Sequence, residues 1–271
     1  MSLFSAEGIA INFGGIKAVD HATVDLYPGE VVGLLGHNGA GKSTLIKVLS
    51  GAYKRDAGQI FINGQEVNID NPRDAKALGI ETIYQTLALA DNVDAAANLY
   101  LGRELRTGWG TLDDVAMEAE CRKVMGRLNP NFRRFKEPVK ALSGGQRRRV
   151  GIARAMASKP HLLLFDDPIT GLDPLIATSI DDEIVKLRDL EDVTTLLVTH
   201  QIRDAFYIAE HKAEQRGNAI EVIKTDPTDV PNVEFLVLLD GSITFQGTAS
   251  ELLASNDPYL TEYLYKTLPP W

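Results

Sequence analysis

The chain has 271 residues, of which 44% are apolar, and a formal net charge of −9. Its length and apolar content indicate a globular protein with one large α/β domain or one domain that carries a sizeable insertion. The acidic charge argues against nonspecific nucleic-acid binding, which needs a basic surface to displace counterions. Cys121 is the only cysteine and the N-terminal residues lack a signal-peptide pattern, so the cytosol is the expected compartment. No apolar run approaches the ~20 residues that span a bilayer.

The N-terminal region has a β-strand pattern. Residues 3–61 alternate short β-like runs with Gly, Pro and Asp. A turn at residues 27–30 leads into the apolar run 31–35. The pattern predicts a β-rich edge of the molecule followed by a buried strand.

A phosphate-binding loop follows this strand. Its glycines lack a Cβ atom, so the backbone N–H groups can wrap around a polyphosphate. Lys42 supplies a mobile positive charge to the outer phosphates, and Ser43 offers its hydroxyl to Mg²⁺. Residues 44–49 predict a helix whose N-terminal dipole faces the phosphates, and Gly51 suits its end. The nucleotide-binding residues are predicted to be Gly36, His37, Asn38, Gly39, Ala40, Gly41, Lys42, Ser43 and Thr44.

Residues 86–158 differ in composition from the region before them. Residues 92–103 and 112–127 are rich in Ala, Glu and Leu, and their patterns are compatible with amphipathic helices. The segment therefore predicts an inserted helical lobe.

Strand patterns resume in the last part of the chain. The apolar runs 161–165 and 194–199 each follow a helical stretch, and this βαβ pattern predicts a parallel sheet. Asp240 and Gly241 predict a hairpin turn between two further strands. Residues 212–233 are polar and contain proline, which predicts a surface excursion.

Two carboxylates end the predicted strand at residues 162–165. In an α/β sheet they emerge at the same edge as the phosphate loop. Asp166 is placed to hold Mg²⁺ through the water shell of the metal, and Asp167 is placed to orient or deprotonate a water molecule that attacks the γ-phosphate. The alternative is an acidic strand end that caps the next turn.

A second anion site is predicted at the start of another helix. Ser143, Gly144, Gly145 and Gln146 precede the helical run 147–157 and present a hydroxyl and backbone N–H groups there. A Ser-Gly-Gly sequence alone does not require an anion.

The phosphate loop, the Leu-Ser-Gly-Gly-Gln stretch at 142–146, the strand that ends in Asp166 and their order closely resemble the ATP-binding cassette (ABC) ATPases of transporters. The resemblance covers nearly the whole chain. It implies one nucleotide-binding domain that binds ATP and Mg²⁺. The implied fold is α/β, a P-loop NTPase (RecA-like) core with a mainly parallel sheet, an N-terminal antiparallel β subdomain and an inserted α-helical subdomain. The core and β subdomain would comprise residues 1–85 and 159–271, and the helical subdomain, with the signature 142–146, residues 86–158.

The resemblance also implies roles for single residues. Phe13 corresponds to the aromatic residue that stacks on adenine, and Gln85 to the glutamine that senses Mg²⁺ and the transmembrane partner. Asp173 lies in the loop that crosses the dimer interface, and His200 corresponds to the histidine that contacts the γ-phosphate. Without the resemblance, Phe13 is typical of a core aromatic residue, Gln85 of a surface amide and His200 of a structural histidine.

In this family the signature residues Ser143 to Gln146 act on the ATP held by the other protomer. The resemblance therefore implies a homodimer that encloses two nucleotides, because the sequence contains one phosphate loop and one signature. It also implies transmembrane permease subunits, a peripheral position on the inner face of the membrane and a substrate-binding protein. Nucleic acid is not an expected partner.

Three positions need separate comment. Asp167 stands where most active family members have Glu, and a carboxylate misplaced by about 1 Å can lower the rate on the order of 10²-fold. Ile169 stands where family members usually have a small polar residue, and we give this difference little weight. The triplet Arg147, Arg148 and Arg149 spreads over most of a helix circumference, which favours solvated or ion-paired side chains.

The two halves of the chain resemble different transporters. Residues 79–85, 98–104 and 128–132 resemble the ATPase subunits of bacterial sugar importers. Residues 147–150, 181–188 and 199–207 resemble phospholipid-trafficking ATPases of the Mla and Mce type. Because the helical lobe carries the sugar-type resemblance, we expect a carbohydrate importer. The alternatives are a phospholipid-transport ATPase, an ATP-gated clamp with weak hydrolysis, and cassette ATPases of translation, DNA repair or iron–sulfur assembly.

Overall fold

The computed structural model describes residues 1–217, 219–227, 230 and 232–267. In these residues no helix is both long and apolar enough to cross a membrane. The strands are β1 Phe4–Phe13, β2 Ile16–Leu26, β3 Val31–Leu35, β4 Ala57–Ile62, β5 Gln65–Val67, β6 Ile80–Ile83, β7 Leu162–Asp166, β8 Thr194–Val198, β9 His211–Arg216, β10 Ala219–Lys224, β11 Val233–Leu239 and β12 Ser242–Gly247. The helices are α1 Lys42–Leu49, α2 Pro72–Ala77, α3 Ala95–Tyr100, α4 Asp114–Leu128, α5 Gly144–Met156, α6 Pro174–Glu191, α7 Ile202–Ala209, α8 Ala249–Leu253 and α9 Pro258–Thr267.

The central sheet has the strand order β12-β11-β3-β8-β7-β6. The pairs from β11 to β6 are parallel, and β12 pairs antiparallel with β11. Every residue of β3, β7 and β8 is buried, as expected for parallel strands that are covered on both faces. The prediction of an α/β core with a mainly parallel sheet is confirmed. The carboxyl ends of β3, β7 and β8 therefore meet at one edge.

A second, antiparallel sheet with the order β2-β1-β4-β5 precedes and flanks this core. Its inward side chains, such as Val24, belong to the same buried cluster as Leu45 of α1 and Leu236 of β11. This sheet confirms the predicted N-terminal antiparallel region. Its packing holds α1, and with it the phosphate loop, against the central sheet.

The helices between β6 and β7 pack around a core of their own residues. Leu99 of α3, Cys121 of α4 and Val150 of α5 lie in one buried cluster that continues to Phe165 of β7. Helices α3 and α4 begin two or three residues later than the patterns predicted, because the Asp94 and Asp113 side chains cap their first turns. The assignment of residues 86–158 to a separate subdomain stays a prediction.

The prediction of a surface excursion at residues 212–233 was incomplete, because it included no strands. Strands β9 and β10 form a two-stranded antiparallel sheet in this segment. Ala213 and Val222 are paired across it and pack against the core cluster, while the exposed pair Arg216 and Glu221 lies 3.4 Å apart. Ala213 and Val222 are the described residues of the two strands that lie in or against this cluster, and most of the other strand residues are polar, so the apolar strand pattern is weak.

Asn98 stabilises the connection that precedes α3. It is fully buried, and its Oδ1 accepts a hydrogen bond from the Ala90 N–H at 2.8 Å. The two N–H groups of its amide are shared among the carbonyls of Ala90, Val93 and Asp94, at 3.0–3.3 Å from Nδ2. One side chain thus satisfies four backbone groups of a loop that has no regular structure.

We predict that Asn98→Ala lowers the free energy of unfolding by about 1–3 kcal/mol, because buried backbone groups lose their partner. Urea denaturation monitored by circular dichroism measures this change. The exposed Asn131→Ala is the control, with an expected change within about 0.5 kcal/mol. Equal changes in the two variants would show that Asn98 does not hold this loop.

Candidate active site

The phosphate loop connects β3 to α1 and has the backbone conformation that its glycines predict. Gly36 and Gly41 have φ angles of 147° and 104°, which side-chain-bearing residues rarely adopt. A Cβ atom at Gly36 would lie 2.3 Å from the Leu238 carbonyl oxygen, and one at Gly41 would lie 2.2 Å from that of Ala18. Both positions therefore require glycine, because the loop passes directly over neighbouring backbone.

Lys42 folds back over the loop from the first residue of α1. Its Nζ donates hydrogen bonds to the carbonyls of Gly36 at 2.8 Å and His37 at 3.0 Å. The side chain is buried, and burial lowers its pKa, while the nearby charges of Asp167 and Asp166 raise it. An ammonium group has three N–H donors, so Lys42 retains one for a phosphate oxygen.

Ser43 and Asp166 bring two oxygen ligands together. Ser43 Oγ donates to Asp166 Oδ1 at 2.7 Å. Burial raises the pKa of Asp166, and this hydrogen bond opposes the rise. Neighbouring ligands of an octahedral Mg²⁺ lie about 2.9 Å apart, since each Mg–O distance is about 2.0–2.1 Å. The pair therefore fits Mg²⁺ with little movement.

The described residues contain no group of three or more His, Cys, Asp or Glu side chains that could hold a metal ion. A protein cage for a metal is thus absent from this part of the chain. Mg²⁺ commonly binds one or two protein oxygens and takes its other ligands from water and substrate phosphates. The pair of Ser43 and Asp166 matches that kind of site.

Asp167 and His200 form a second pair beside the first. Asp167 Oδ1 accepts hydrogen bonds from the His200 backbone N–H at 3.1 Å and from His200 Nδ1 at 2.8 Å. Asp167 has a φ angle of 48°, a left-handed conformation that Asp adopts more readily than most residues. The carboxylate is thus held at the ends of β7 and β8, facing the loop.

A cavity of about 400 Å³ lies along the loop. Asn38, Lys42 and Ser43 line it from the loop, and Asp167 lines it from β7. The wall opposite includes Ile16, which the sequence did not indicate. The cavity therefore brings together the phosphate-binding groups and the carboxylate.

Phe13 and Gln85 lie outside the lining of this cavity. Phe13 ends β1, has 47% of its surface exposed and packs edge-to-face on Tyr53 with ring centroids 5.4 Å apart. Gln85 follows β6 and is exposed, and its carbonyl accepts a hydrogen bond from Arg148 at 3.3 Å. Among the residues that the structure describes, neither lines the cavity of the loop.

Residues Ser143 to Gln146 lie apart from that cavity in the described structure. Ser143 caps α5 in a reciprocal capping box with Gln146. Leu172 and Ile176, which lie just before and within the first turn of α6, pack against Gly144 and Gly145.

Asp173 caps α6 in turn. It accepts a hydrogen bond from the Ile176 N–H at 3.1 Å and is exposed. Ser143 and Gly144 are exposed too, so the two helix starts share one exposed surface.

The arginine triplet divides into two ion pairs and one buried residue. Arg147 pairs with Asp91 at 2.6 Å, and Arg149 pairs with Glu183, so the ion-paired interpretation is confirmed for both. Arg148 is buried instead and donates to the carbonyls of Tyr84 at 3.1 Å and Gln85 at 3.3 Å. No sequence pattern indicated this link between the signature helix and the segment that carries Gln85.

Two further contacts with the loop were missed. The Gly241 N–H donates to the Ala40 carbonyl at 3.1 Å, so the predicted hairpin turn supports the loop. The Gly36 N–H donates to the hydroxyl of Tyr263 in α9 at 3.2 Å. Both partners are more than 190 positions away along the chain, so no local pattern could indicate them.

The amino-acid sequence is similar to those of known proteins. The family described as "ABC transporter" matches residues 19–170. A ribose import ATP-binding protein of Burkholderia cenocepacia is 38% identical over 224 residues, which are 80% of this chain and 42% of that protein. A xylose/arabinose import ATP-binding protein of Sulfolobus acidocaldarius is 36% identical over 223 residues, 82% of this chain and 88% of that protein. The chain thus spans less than half of the first relative and most of the second.

Structural comparisons give the same fold. A nucleotide-free ATP-binding cassette from an ABC transporter superposes with a TM-score of 0.78 and 24% identity, covering 97% of this chain and 98% of the other. A dimeric ATP-binding cassette bound to ADP and Pi superposes with a TM-score of 0.70 and 22% identity, covering 90% and 98%. These similarities confirm the P-loop NTPase fold, and the family match and the import-protein relatives show that the chain belongs to the ABC transporter family.

Proposed function

We propose that the chain is the ATP-binding and ATP-hydrolysing subunit of an ABC transporter. The observation that carries the proposal is the meeting of three groups at one sheet edge, namely Lys42 on the loop, the Ser43–Asp166 pair and the Asp167–His200 pair. The family match and the import-protein relatives support it.

Each residue has a chemical role in this proposal. The loop N–H groups and Lys42 bind and orient the polyphosphate. Ser43 and Asp166 hold Mg²⁺, which when bound neutralises charge on the phosphate oxygens. Asp167 orients the attacking water and accepts its proton, and His200, held by Asp167, contacts the γ-phosphate. The exposed Phe13 stacks on adenine, and Gln85 reports on Mg²⁺.

We propose further that two chains form a head-to-tail homodimer. Ser143 and Gly144 are exposed, and they lie outside the cavity of their own loop. A partner protomer can therefore receive the signature residues and Asp173 at its nucleotide. The dimeric cassette of the same fold supports this arrangement.

The proposed cargo is a carbohydrate, because relatives named for ribose, xylose/arabinose and fructose import match 77–82% of the chain. The fructose import ATP-binding protein of Rhizobium meliloti is 34% identical over 215 residues, which are 77% of this chain and 82% of that protein. The partners would be permease subunits, at the inner face of the membrane, and a substrate-binding protein. The helical segment 86–158 would contact the permease.

Reconstituted vesicles that accumulate labelled phospholipid but not pentose would favour the alternative lipid transporter.

A second candidate, an ATP-gated clamp with little turnover, rests on Asp167. Its side chain is one methylene shorter than Glu and is already engaged by His200. Turnover of Asp167→Glu separates the two candidates. A rise of about 100-fold over a negligible wild-type rate would establish the clamp.

We predict that Lys42→Ala weakens ATP binding about 10- to 100-fold, because a charged hydrogen bond to phosphate is lost. Isothermal titration calorimetry with Mg²⁺ and ATP measures the change. Lys54→Ala, at an exposed lysine paired with Asp70, is the control and should leave the affinity unchanged. Unaltered binding by Lys42→Ala would contradict the proposed site.

We predict that Asp167→Asn lowers ATP turnover by about 10²- to 10⁴-fold, because the amide cannot accept the proton of the attacking water. ATP affinity should stay within about threefold, since the loop, Lys42 and the Mg²⁺ ligands are unchanged. Phosphate-release kinetics and equilibrium binding measure the two quantities. Full turnover by Asp167→Asn would remove this residue from the chemistry.

A further inference from the structure

The first glycine of the phosphate loop is bound from two sides. The Gly36 N–H donates to the Tyr263 hydroxyl at 3.2 Å, and this contact is buried. The Gly36 carbonyl accepts from Lys42 Nζ at 2.8 Å. Both backbone polar groups of Gly36 are therefore satisfied by side chains, one from inside the loop and one from α9.

Helix α9 is fixed against the core by apolar contacts. Leu260 and Leu264 belong to the same buried cluster as Leu35 at the end of β3 and Phe235 of β11. Because Tyr263 lies on this buried face, its hydroxyl reaches the loop at the point where β3 ends. The position of the hydroxyl is thus set by the packing of the helix.

The rings around Tyr263 restrict its orientation further. Tyr259, one turn earlier, stacks on Tyr263 with ring centroids 6.0 Å apart and an angle of 11° between planes. Tyr259 also meets the His37 ring edge-on at 6.5 Å. Burial raises the pKa of Tyr263 to about 12, so the hydroxyl keeps its proton at neutral pH.

Packing alone leaves the loop room to move. A cavity of about 390 Å³ is bordered by His37 and Asn38 of the loop, by His200, and by Tyr259 and Tyr263 of α9. Since this space is not filled by side chains, the hydrogen bond from Gly36 to Tyr263 is a specific restraint on the loop.

We infer that Tyr263 is a positioning residue, whose hydroxyl fixes Gly36 so that the loop N–H groups and Lys42 face the polyphosphate. The inference rests on the proposed function, since it takes a nucleotide as the ligand of the loop. Tyr263 acts through Gly36 and does not itself contact phosphate.

The consequence is a change in affinity with little change in the chemical step. When only a fraction of molecules has a competent loop, the apparent dissociation constant rises by the inverse of that fraction. Tyr263→Phe keeps the ring and removes one hydrogen bond, which corresponds to about a 3- to 10-fold weaker binding of ATP. Asp167 and His200 are untouched, so kcat at saturating ATP should change less than about twofold while KM rises with the dissociation constant.

The test uses the full chain and three Tyr→Phe variants of one helix. Tyr265 is 86% exposed on the opposite side of α9, so Tyr265→Phe should match the wild type. The Tyr259 hydroxyl is buried near the His37 N–H without a hydrogen bond of ordinary geometry. Tyr259→Phe should therefore weaken ATP binding less than Tyr263→Phe does.

Calorimetry with Mg²⁺ and ATP, together with steady-state kinetics, measures the three variants. An unchanged dissociation constant and KM in Tyr263→Phe, while the wild type binds ATP, would overturn the inference alone. A lower kcat with unchanged affinity would also overturn it. Absence of ATP binding by the wild type would overturn the proposed function, and this inference with it.

Hydrogen exchange provides a second measurement that needs no variant. The Gly36 amide of the wild type should exchange slowly, because its N–H is bound and buried. The exposed Gly39 amide of the same loop is the internal reference. Exchange of Gly36 as fast as Gly39 would overturn the inference even if Tyr263→Phe does not fold.

Discussion

The parallel pairing of β3, β8 and β7 is the constraint on which the rest of the site depends. Parallel strands end at the same edge, so the loop after β3, the carboxylates after β7 and the histidine after β8 meet there although they are far apart in sequence. The apolar residues of these strands provide the burial that holds the edge in place. The chemistry is thus positioned by the core, and the loops need little stability of their own.

Buried charge at this edge would be costly without partners, and the structure provides them. Lys42 is bound by two carbonyls of its own loop, and Asp166 accepts a hydrogen bond from Ser43. Arg148 donates hydrogen bonds to the carbonyls of Tyr84 and Gln85. Each of these buried charged groups thus has a hydrogen-bond partner of its own.

The sequence was most informative where the determinants are local. Gly36 and Gly41, which have positive φ angles, lie in the nine-residue phosphate loop 36–44. The strand before this loop and the helix after it have clear sequence patterns. Asp166 and Asp167 follow from the end of one apolar strand. By contrast, the bond from Gly36 to Tyr263 joins residues 227 positions apart and depends on how α9 packs. Strands β9 and β10 were missed because each contributes only one of its described residues to the contact with this core cluster, Ala213 and Val222, and the segment has no clear apolar alternation.

Steady-state ATP hydrolysis by the purified chain, measured with Mg²⁺ over a range of protein concentrations, tests the central claim most directly. Because the signature residues are proposed to act on the partner's nucleotide, the account predicts Mg²⁺-dependent phosphate release whose rate per chain rises with protein concentration. Absence of Mg²⁺-dependent release at every concentration would contradict it.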